Sequence, residues 1–326
     1  MARPLNAHNQ PGLPVPCQRG RRGGHDDYLD QMDKRAFEWG SGGVPSRPVI
    51  REAFATAVEE YLSATGDPGF VHRGIAATSL REEHLIAHVL HRLPPRGTLI
   101  DIGAGFGIFP RMVRILRPEA RVIVVDSERS AGTGDVDKLK GTGIETILAI
   151  VGETAVPHPD GVADVCFAGD VIEHLPHSPR PFVLELRRLL RPGGWLLLDT
   201  PNAVCLRTRL KVLLGVSNWT HLDGIYDSDF NINHHKEYTE KELRSLLERA
   251  SFEAPRVTSY EHFWYKSLKS LGRLQTMGAP ASEVSSFGSG FNPRHPYEYG
   301  RIACLAAATC VPSFRSSIVG EGRKAG

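Results

Sequence analysis

The stretch Thr98-Leu-Ile-Asp101-Ile-Gly103-Ala104-Gly105-Phe106-Gly107 decides the fold. Pro94, Pro95 and Gly97 break the helical pattern before it, so residues 98–101 read as a short buried strand. The glycines let the backbone turn sharply and come close to a ligand. Phe109, Met112, Val113, Ile115 and Leu116 then mark a helix whose first free N–H groups face that turn. Outward from this unit, strand-like runs recur at residues 121–126, 144–151, 164–168, 195–200 and 256–260, mostly separated by helix-length segments. That alternation predicts an α/β fold, a doubly wound and mostly parallel sheet with helices on both faces.

Two helices carry clear boundary signals. Ser178 can cap one, Pro179 suits its first turn, and Phe182, Val183, Leu186, Leu189 and Leu190 form its buried stripe. Pro192-Gly193-Gly194 are expected to stop it. Another starts at Thr239, with Glu242 completing a capping box and Leu243, Leu246, Leu247 and Ala250 facing the core. Upstream, residues 49–97 read as an N-terminal helical extension, with Phe54, Val58, Tyr61 and Leu62 on one stripe. Residues 1–48 hold six Pro and seven Gly and read as a loose arm. The central domain is expected over 98–310, its last strand at 302–309, with a polar tail at 311–326. Long connections at 202–237 and 263–299 carry Trp219, Tyr226, Phe230, Phe263, Trp264 and Tyr265, and are expected to cover an acceptor pocket.

Composition bounds the function. The chain has 326 residues, with 39 Lys plus Arg against 37 Asp plus Glu, a net charge of +2. No one-sign field recommends a polyanionic partner, so nucleic acid is disfavoured. Five cysteines form no C-x-x-C pair, which argues against a disulfide framework or zinc knuckle and for a reducing cytoplasm. No apolar run is long enough to insert across a bilayer. The composition leaves oligomeric state open.

A dinucleotide fingerprint needs its third glycine at position 108, where Ile108 stands. The turn is instead G-x-G-x-G with Asp101 two residues before it. A carboxylate there suits a cationic amino-acid group and would repel a pyrophosphate by about 1–4 kcal/mol per close pair. Asp126 closes the second strand, where an acid can accept both hydroxyls of a ribose. Glu153, after the third strand, offers a carboxylate to an adenine amino group.

With LIDIGAGFG, VVDSE, HPDGVADVCFAGDVIEHL, LRRLLRPGGWLLLDTPN and EYTEKELRSLLERASFE in this order, residues 98–260 resemble the class I S-adenosylmethionine-dependent methyltransferases. The resemblance implies a seven-stranded Rossmann-like fold with an antiparallel last strand. It also implies S-adenosyl-L-methionine as cofactor, bound by Asp101, Gly103, Ala104, Gly105, Asp126 and Glu153, with Asp170 closing the fourth strand beside it.

Asp170-Val-Ile-Glu173-His174-Leu-Pro-His177 lies just beyond that strand. If the acceptor is a hydroxyl, its proton must leave to a base such as His174 or with help from a Lewis-acidic metal. The D-x-x-E-H pattern is similar to the E-x-x-E-H metal set of ubiquinone-pathway O-methyltransferases and, with a distant histidine, of small-RNA 2′-O-methyltransferases. On that likeness Asp170, Glu173, His174 and His235 would hold a divalent ion, Mn²⁺ in preference to Mg²⁺ given the imidazoles. His235 is expected to be the distant ligand and second catalytic histidine, with His234 pointing away, because the capped helix at Thr239 fixes its direction. His174 thus has three readings: direct base, metal ligand, or a residue hydrogen-bonded to hold its loop. The activity expected is O-methylation of a small metabolite, sugar or glycoside in secondary metabolism or glycan modification. The alternatives are an RNA 2′-O-methyltransferase and a cofactor-binding scaffold without turnover.

Overall fold

A computed structural model describes residues 43–66, 81–127, 136–217, 234–262 and 296–326. The elements are α1 (Arg47–Thr65), α2 (residues 81–92), β1 (Thr98–Ile102), α3 (Ile108–Leu116), β2 (Arg121–Asp126), β3 (Glu145–Leu148), β4 (Ala163–Gly169), α4 (Pro179–Leu189), β5 (Leu190–Pro201), α5 (Leu206–Leu213), α6 (Glu240–Arg249), β6 (Phe252–Tyr260), α7 (Pro296–Cys310) and β7 (Ser317–Lys324). The seven strands form one sheet in the order β3-β2-β1-β4-β5-β7-β6. β1 to β5 pair in parallel, and β7 runs antiparallel to both β5 and β6.

Strand alternation builds two cores. Leu99, Val122, Val124, Val165, Phe167 and Leu197 face α1, α2 and α3, whereas Ile100, Ile123, Val125, Cys166, Leu196 and Leu198 face α4 and α6. Burial on both faces explains why these strands read as continuous apolar runs. Chain order reverses between β1 and β4, and at such a switch point the loops diverge and leave a crevice beyond the carboxyl ends of the strands. Gly103 and Asp170 stand on its two sides.

The predicted helix boundaries hold in part. Ser178 caps α4 by accepting the N–H of Arg180. At α6 the Thr239 and Glu242 capping box is present in both directions. However, α4 ends at Leu189, before Pro192-Gly193-Gly194, which belong to β5 and produce the register shift against Ala163 and Val165.

The C-terminal assignment needs correction. Residues 302–309, expected as the last strand, lie inside helix α7. Ala303, Ala306, Ala307 and Ala308 explain it, since alanine is the strongest helix former. The last strand is β7, within the stretch read as a polar tail, and it is an interior strand. Its glycines hide it from sequence patterning yet permit it. A Cβ on Gly320 would come within 2.9 Å of Leu243 on α6, and one on Gly322 within 2.7 Å of Phe252. The segment from 67 to 80, the 1–42 part of the arm, and 218–233 and 263–295 of the expected covers lie outside the described residues.

Between those glycines Glu321 is buried, accepting from Arg92 at 2.8 Å and lying 2.6 Å from His88 Nδ1. Burial alone would raise its pKa, but the His88 hydrogen bond and the charges of His88 and Arg92 win, lowering it from 4.5 to about 2. A carboxylate depressed in the folded state stabilises above its unfolded pKa and loses that contribution as pH falls through the folded value. We therefore expect Glu321→Gln to cost about 3 kcal/mol at pH 7. In urea titrations the gap to the parent should close between pH 4.5 and about 2. A gap constant across that window would mean that packing, and not charge, is lost.

Candidate active site

The glycine turn is built as its sequence predicts. Gly103, Gly105 and Gly107 all have left-handed backbone, at φ 69°, 53° and 67°. A side chain at Gly103 would strike Val171 at 2.6 Å and one at Gly107 would strike Leu139 at 2.7 Å, whereas one at Gly105 would meet nothing within 4 Å among the described residues. Gly105 thus borders open space, and half-buried Ala104 sits between the two. Gly107 begins α3 without a side-chain cap.

Asp101 at the end of β1 is 2% exposed, and its Oδ2 is buried with no hydrogen-bond partner. Burial, followed by the nearby charges of Glu82 and Asp126, holds its carboxyl well above the usual range, with Arg81 opposing. Asp126 is also buried and accepts the N–H of Ser127 at 2.7 Å. Acids crowded around one unsatisfied buried oxygen form a seat for a cation, since a positive ligand would relieve both their repulsion and the missing hydrogen bond. The ammonium and sulfonium charges of S-adenosyl-L-methionine fit that seat. Sequence reading missed Glu82; its only signal was its place on the helix preceding β1. Glu153 is exposed, on a turn closed by its N–H to Ile150 O, and is not among the charges acting on Asp101.

Across the crevice Asp170 has φ 51°, which costs a residue with a Cβ about 1–2 kcal/mol. Its N–H donates to Asp199 O at 3.0 Å, and its carboxylate lies 3.1 Å from the Arg81 guanidinium. Arg81 Nε donates to Asp199 Oδ2 at 2.8 Å, and the Tyr260 hydroxyl donates to Asp199 Oδ1 at 2.8 Å. Burial pushes Asp199 up to about 6 against the pull of Arg81, and the hydrogen bonds from Tyr260 and Arg81 favour its carboxylate form. Arg81 and Tyr260 were not singled out in the sequence. Asp199 could have been found, because an acid inside the apolar run Leu196–Thr200 demands a partner.

Glu173 is fully buried on the short turn Ile172–His174. Its Oε2 accepts the Thr200 hydroxyl at 3.0 Å, and its Oε1 is buried with no hydrogen-bond partner. Burial first, then Asp170, raises its pKa. Glu173, His174 and His234 bring one ligand atom each to within 4.8 Å of one another. The His174 and His234 rings meet edge to face at 4.8 Å, and His234 Nδ1 lies 3.0 Å from Glu237.

The cluster differs from the expected ligand set in two residues. His234, and not His235, joins the cluster, because the His235 and Lys236 N–H groups bond Glu173 O at 2.7 and 3.2 Å. That anchor, more than the Thr239 cap, sets the direction of the segment. Asp170 is not part of the group, its carboxylate being drawn to Arg81. The His235 Nε2 is buried without a hydrogen-bond partner.

The family described as "Methyltransferase domain" matches residues 78–257. A ubiquinone biosynthesis O-methyltransferase from Burkholderia thailandensis is 30% identical over 112 residues, 34% of this chain and 47% of its own length. The chain thus spans about half of that relative. Among solved structures, Haemonchus contortus phosphoethanolamine N-methyltransferase 2 in complex with S-adenosyl-L-methionine aligns at TM-score 0.52 and 14% identity, over 83% of this chain and 57% of that one. A putative Haloferax volcanii methyltransferase, complexed with the Trm112 methyltransferase activator, aligns at 0.50 and 15%, over 82% and 97%. These two show the fold. The glycine turn, the acids around it and the family match together define a class I, S-adenosylmethionine-dependent methyltransferase. The chain belongs to the methyltransferase-domain family.

The acid seat makes a direct expectation. Asp101→Asn and Asp126→Ala should each weaken S-adenosylhomocysteine binding about tenfold or more in calorimetry, about 1.4 kcal/mol. Unchanged affinity in both, with the fold intact, would move the cofactor elsewhere.

Proposed function

We propose that the chain methylates a hydroxyl oxygen of a small molecule, with the Glu173, His174 and His234 cluster receiving the hydroxyl proton. The observation that carries this reading is the convergence of two imidazoles on a buried carboxylate at the switch-point crevice, across from the acid seat. When bound, S-adenosyl-L-methionine supplies an electrophilic methyl group. Asp101, Glu82 and Asp126 would hold its positive end, and Asp126 would also accept ribose hydroxyls. Glu173 fixes the turn that carries His174, and through its carbonyl it fixes the segment that carries His234. An imidazole positioned on the acceptor hydroxyl contributes about a hundredfold to ten-thousandfold as a general base.

A second reading has its own support. One carboxylate and two imidazoles, with Glu173 Oε1 lacking a partner, suit a divalent ion of the Mn²⁺ type, and Glu173, His174 and His234 would hold it. Such an ion would supply Lewis acidity that lowers the acceptor hydroxyl's pKa.

The relatives named for ubiquinone biosynthesis support oxygen as the acceptor atom. With a net charge of +2, the chain suits a sugar, glycoside or quinol-like ring of secondary metabolism or glycan modification better than RNA.

A screen with labelled methyl donor over phenolic and sugar hydroxyls should give turnover, and His174→Ala and His234→Ala should each reduce kcat about a hundredfold or more. Cofactor binding without turnover on any hydroxyl would replace the enzyme with a scaffold. Turnover confined to RNA would overturn the small-molecule acceptor. Chelation that abolishes turnover, leaves cofactor bound and is reversed by Mn²⁺ assigns the cluster to a metal. Full activity after chelation assigns it to a direct base.

A further inference from the structure

Helix α5 is assembled the wrong way round for a helix of a globular core. In Leu206-Arg-Thr-Arg-Leu-Lys-Val-Leu213 the one buried residue is Thr208. At 100° per residue, Leu206, Leu210 and Leu213 share a stripe on the side opposite Thr208. Leu206 is half-buried, and the stripe turns outward along the helix, with Leu210 37% exposed. The exposure continues past the helix end: Val212 is 62% exposed, Leu213 81%, Leu214 77% and Val216 51%. Four large aliphatic side chains within five residues make a contiguous patch, and such patches mark interaction sites.

Charge identifies the partner. Arg209 flanks the apolar stripe on one side, and Arg207 and Lys211 flank it on the other. From 200 to 222 the sequence contains these three cations and no Asp or Glu. A short helix with an apolar face bordered by Lys and Arg on both sides is the pattern of a segment that lies in the headgroup plane of a membrane. Basic side chains there are drawn to anionic lipid. A second copy of the chain is less well matched: the helix is only about 12 Å long, short of what a stable dimer interface needs. The patch is also well placed, since residues 202–205 alone separate α5 from the carboxyl end of β5.

We propose that α5 and residues 214–216 seat the protein on an anionic membrane surface, as a peripheral contact and not as a span. No helix among the described residues is long and apolar enough to cross a membrane. The seat is independent of the acceptor chemistry proposed above.

The test is flotation of the full chain with phosphatidylcholine vesicles, with and without phosphatidylglycerol. Binding should require the anionic lipid and fall steeply with salt. Leu213→Asp combined with Leu214→Asp should abolish it, and Lys211→Glu should weaken it about tenfold. S-adenosylhomocysteine binding should survive in both variants. If the double variant does not fold, Lys211→Glu decides alone. No binding by the parent chain, equal binding to neutral vesicles, or binding unchanged by the variants overturns the proposal. So does a dimer that forms without lipid and is lost in the double variant, which would make the partner a second copy. A double variant that melts at lower temperature without lipid also overturns it, because the patch would then be covered by the chain itself.

Discussion

The buried ion pair between Arg81 and Asp199 holds the crevice together. Two charges removed from water lose several kcal/mol each in hydration, and their attraction recovers this only if the remaining polar atoms are also satisfied. Here they are largely satisfied. Asp199 takes Arg81 on one oxygen and the Tyr260 hydroxyl on the other, and Arg81 reaches on to Asp170 and Glu82. Removing either partner of such a pair costs about 3–5 kcal/mol, because the survivor is left charged in the interior. The pair ties α2 to β5, and through Asp170 to the end of β4. It thereby holds the left-handed turn at Asp170 that opens the crevice, and offsets the strain of that turn.

From that tie the site divides into two halves of opposite chemistry. On the β1 and β2 side, Glu82, Asp101 and Asp126 concentrate negative charge under a glycine turn, and neither Gly103 nor Gly107 could carry a side chain without striking a neighbour. On the β4 and β5 side, Glu173, His174 and His234 gather nitrogen donors around one carboxylate. Val171 lies between them and fills the space against Gly103. The first half suits a cationic ligand, and the second suits a proton or a metal ion. The distance between the halves is set by the β1 and β4 register, which pairs Asp101 with Phe167 and Ile102 with Ala168.

What the sequence revealed follows what is local. The glycine turn, Asp101, Asp126 and the capping box at Thr239 each depend on a few adjacent residues, and each is found where periodicity and spacing place it. β7 was illegible because only two of its buried residues, Ile318 and Val319, are apolar, too short a run to read as a strand. Past them Gly320 and Gly322 make room for Leu243 and Phe252, so the rest of the strand is specified by its neighbours' bulk more than by its own hydrophobicity. The choice between His234 and His235 was illegible for a similar reason. It depends on two backbone bonds to the carbonyl of Glu173, some sixty residues earlier, which no local pattern encodes. Arg81 and Tyr260 join the crevice only through Asp199.

Helix α2 shows how these long-range choices are made consistent. Its residues Arg81, His84, His88 and Arg92 are spaced three, four and four apart, which puts them on one face. That face meets the sheet, where an apolar stripe would be the simpler solution. Arg81 pairs with Asp199, His84 stacks on Tyr260 at 4.2 Å, and His88 and Arg92 hold Glu321. His84 and His88 are themselves joined, Nε2 to Nε2, at 3.1 Å. An apolar stripe could slide by a turn at little cost, whereas each polar group here meets a particular partner on β5, β6 or β7. A slip of one turn would take Arg81 away from Asp199 and leave that carboxylate buried without its cation. The polar face thus fixes the register of α2 against three strands at once, and with it the placement of Arg81 and Glu82 at the crevice.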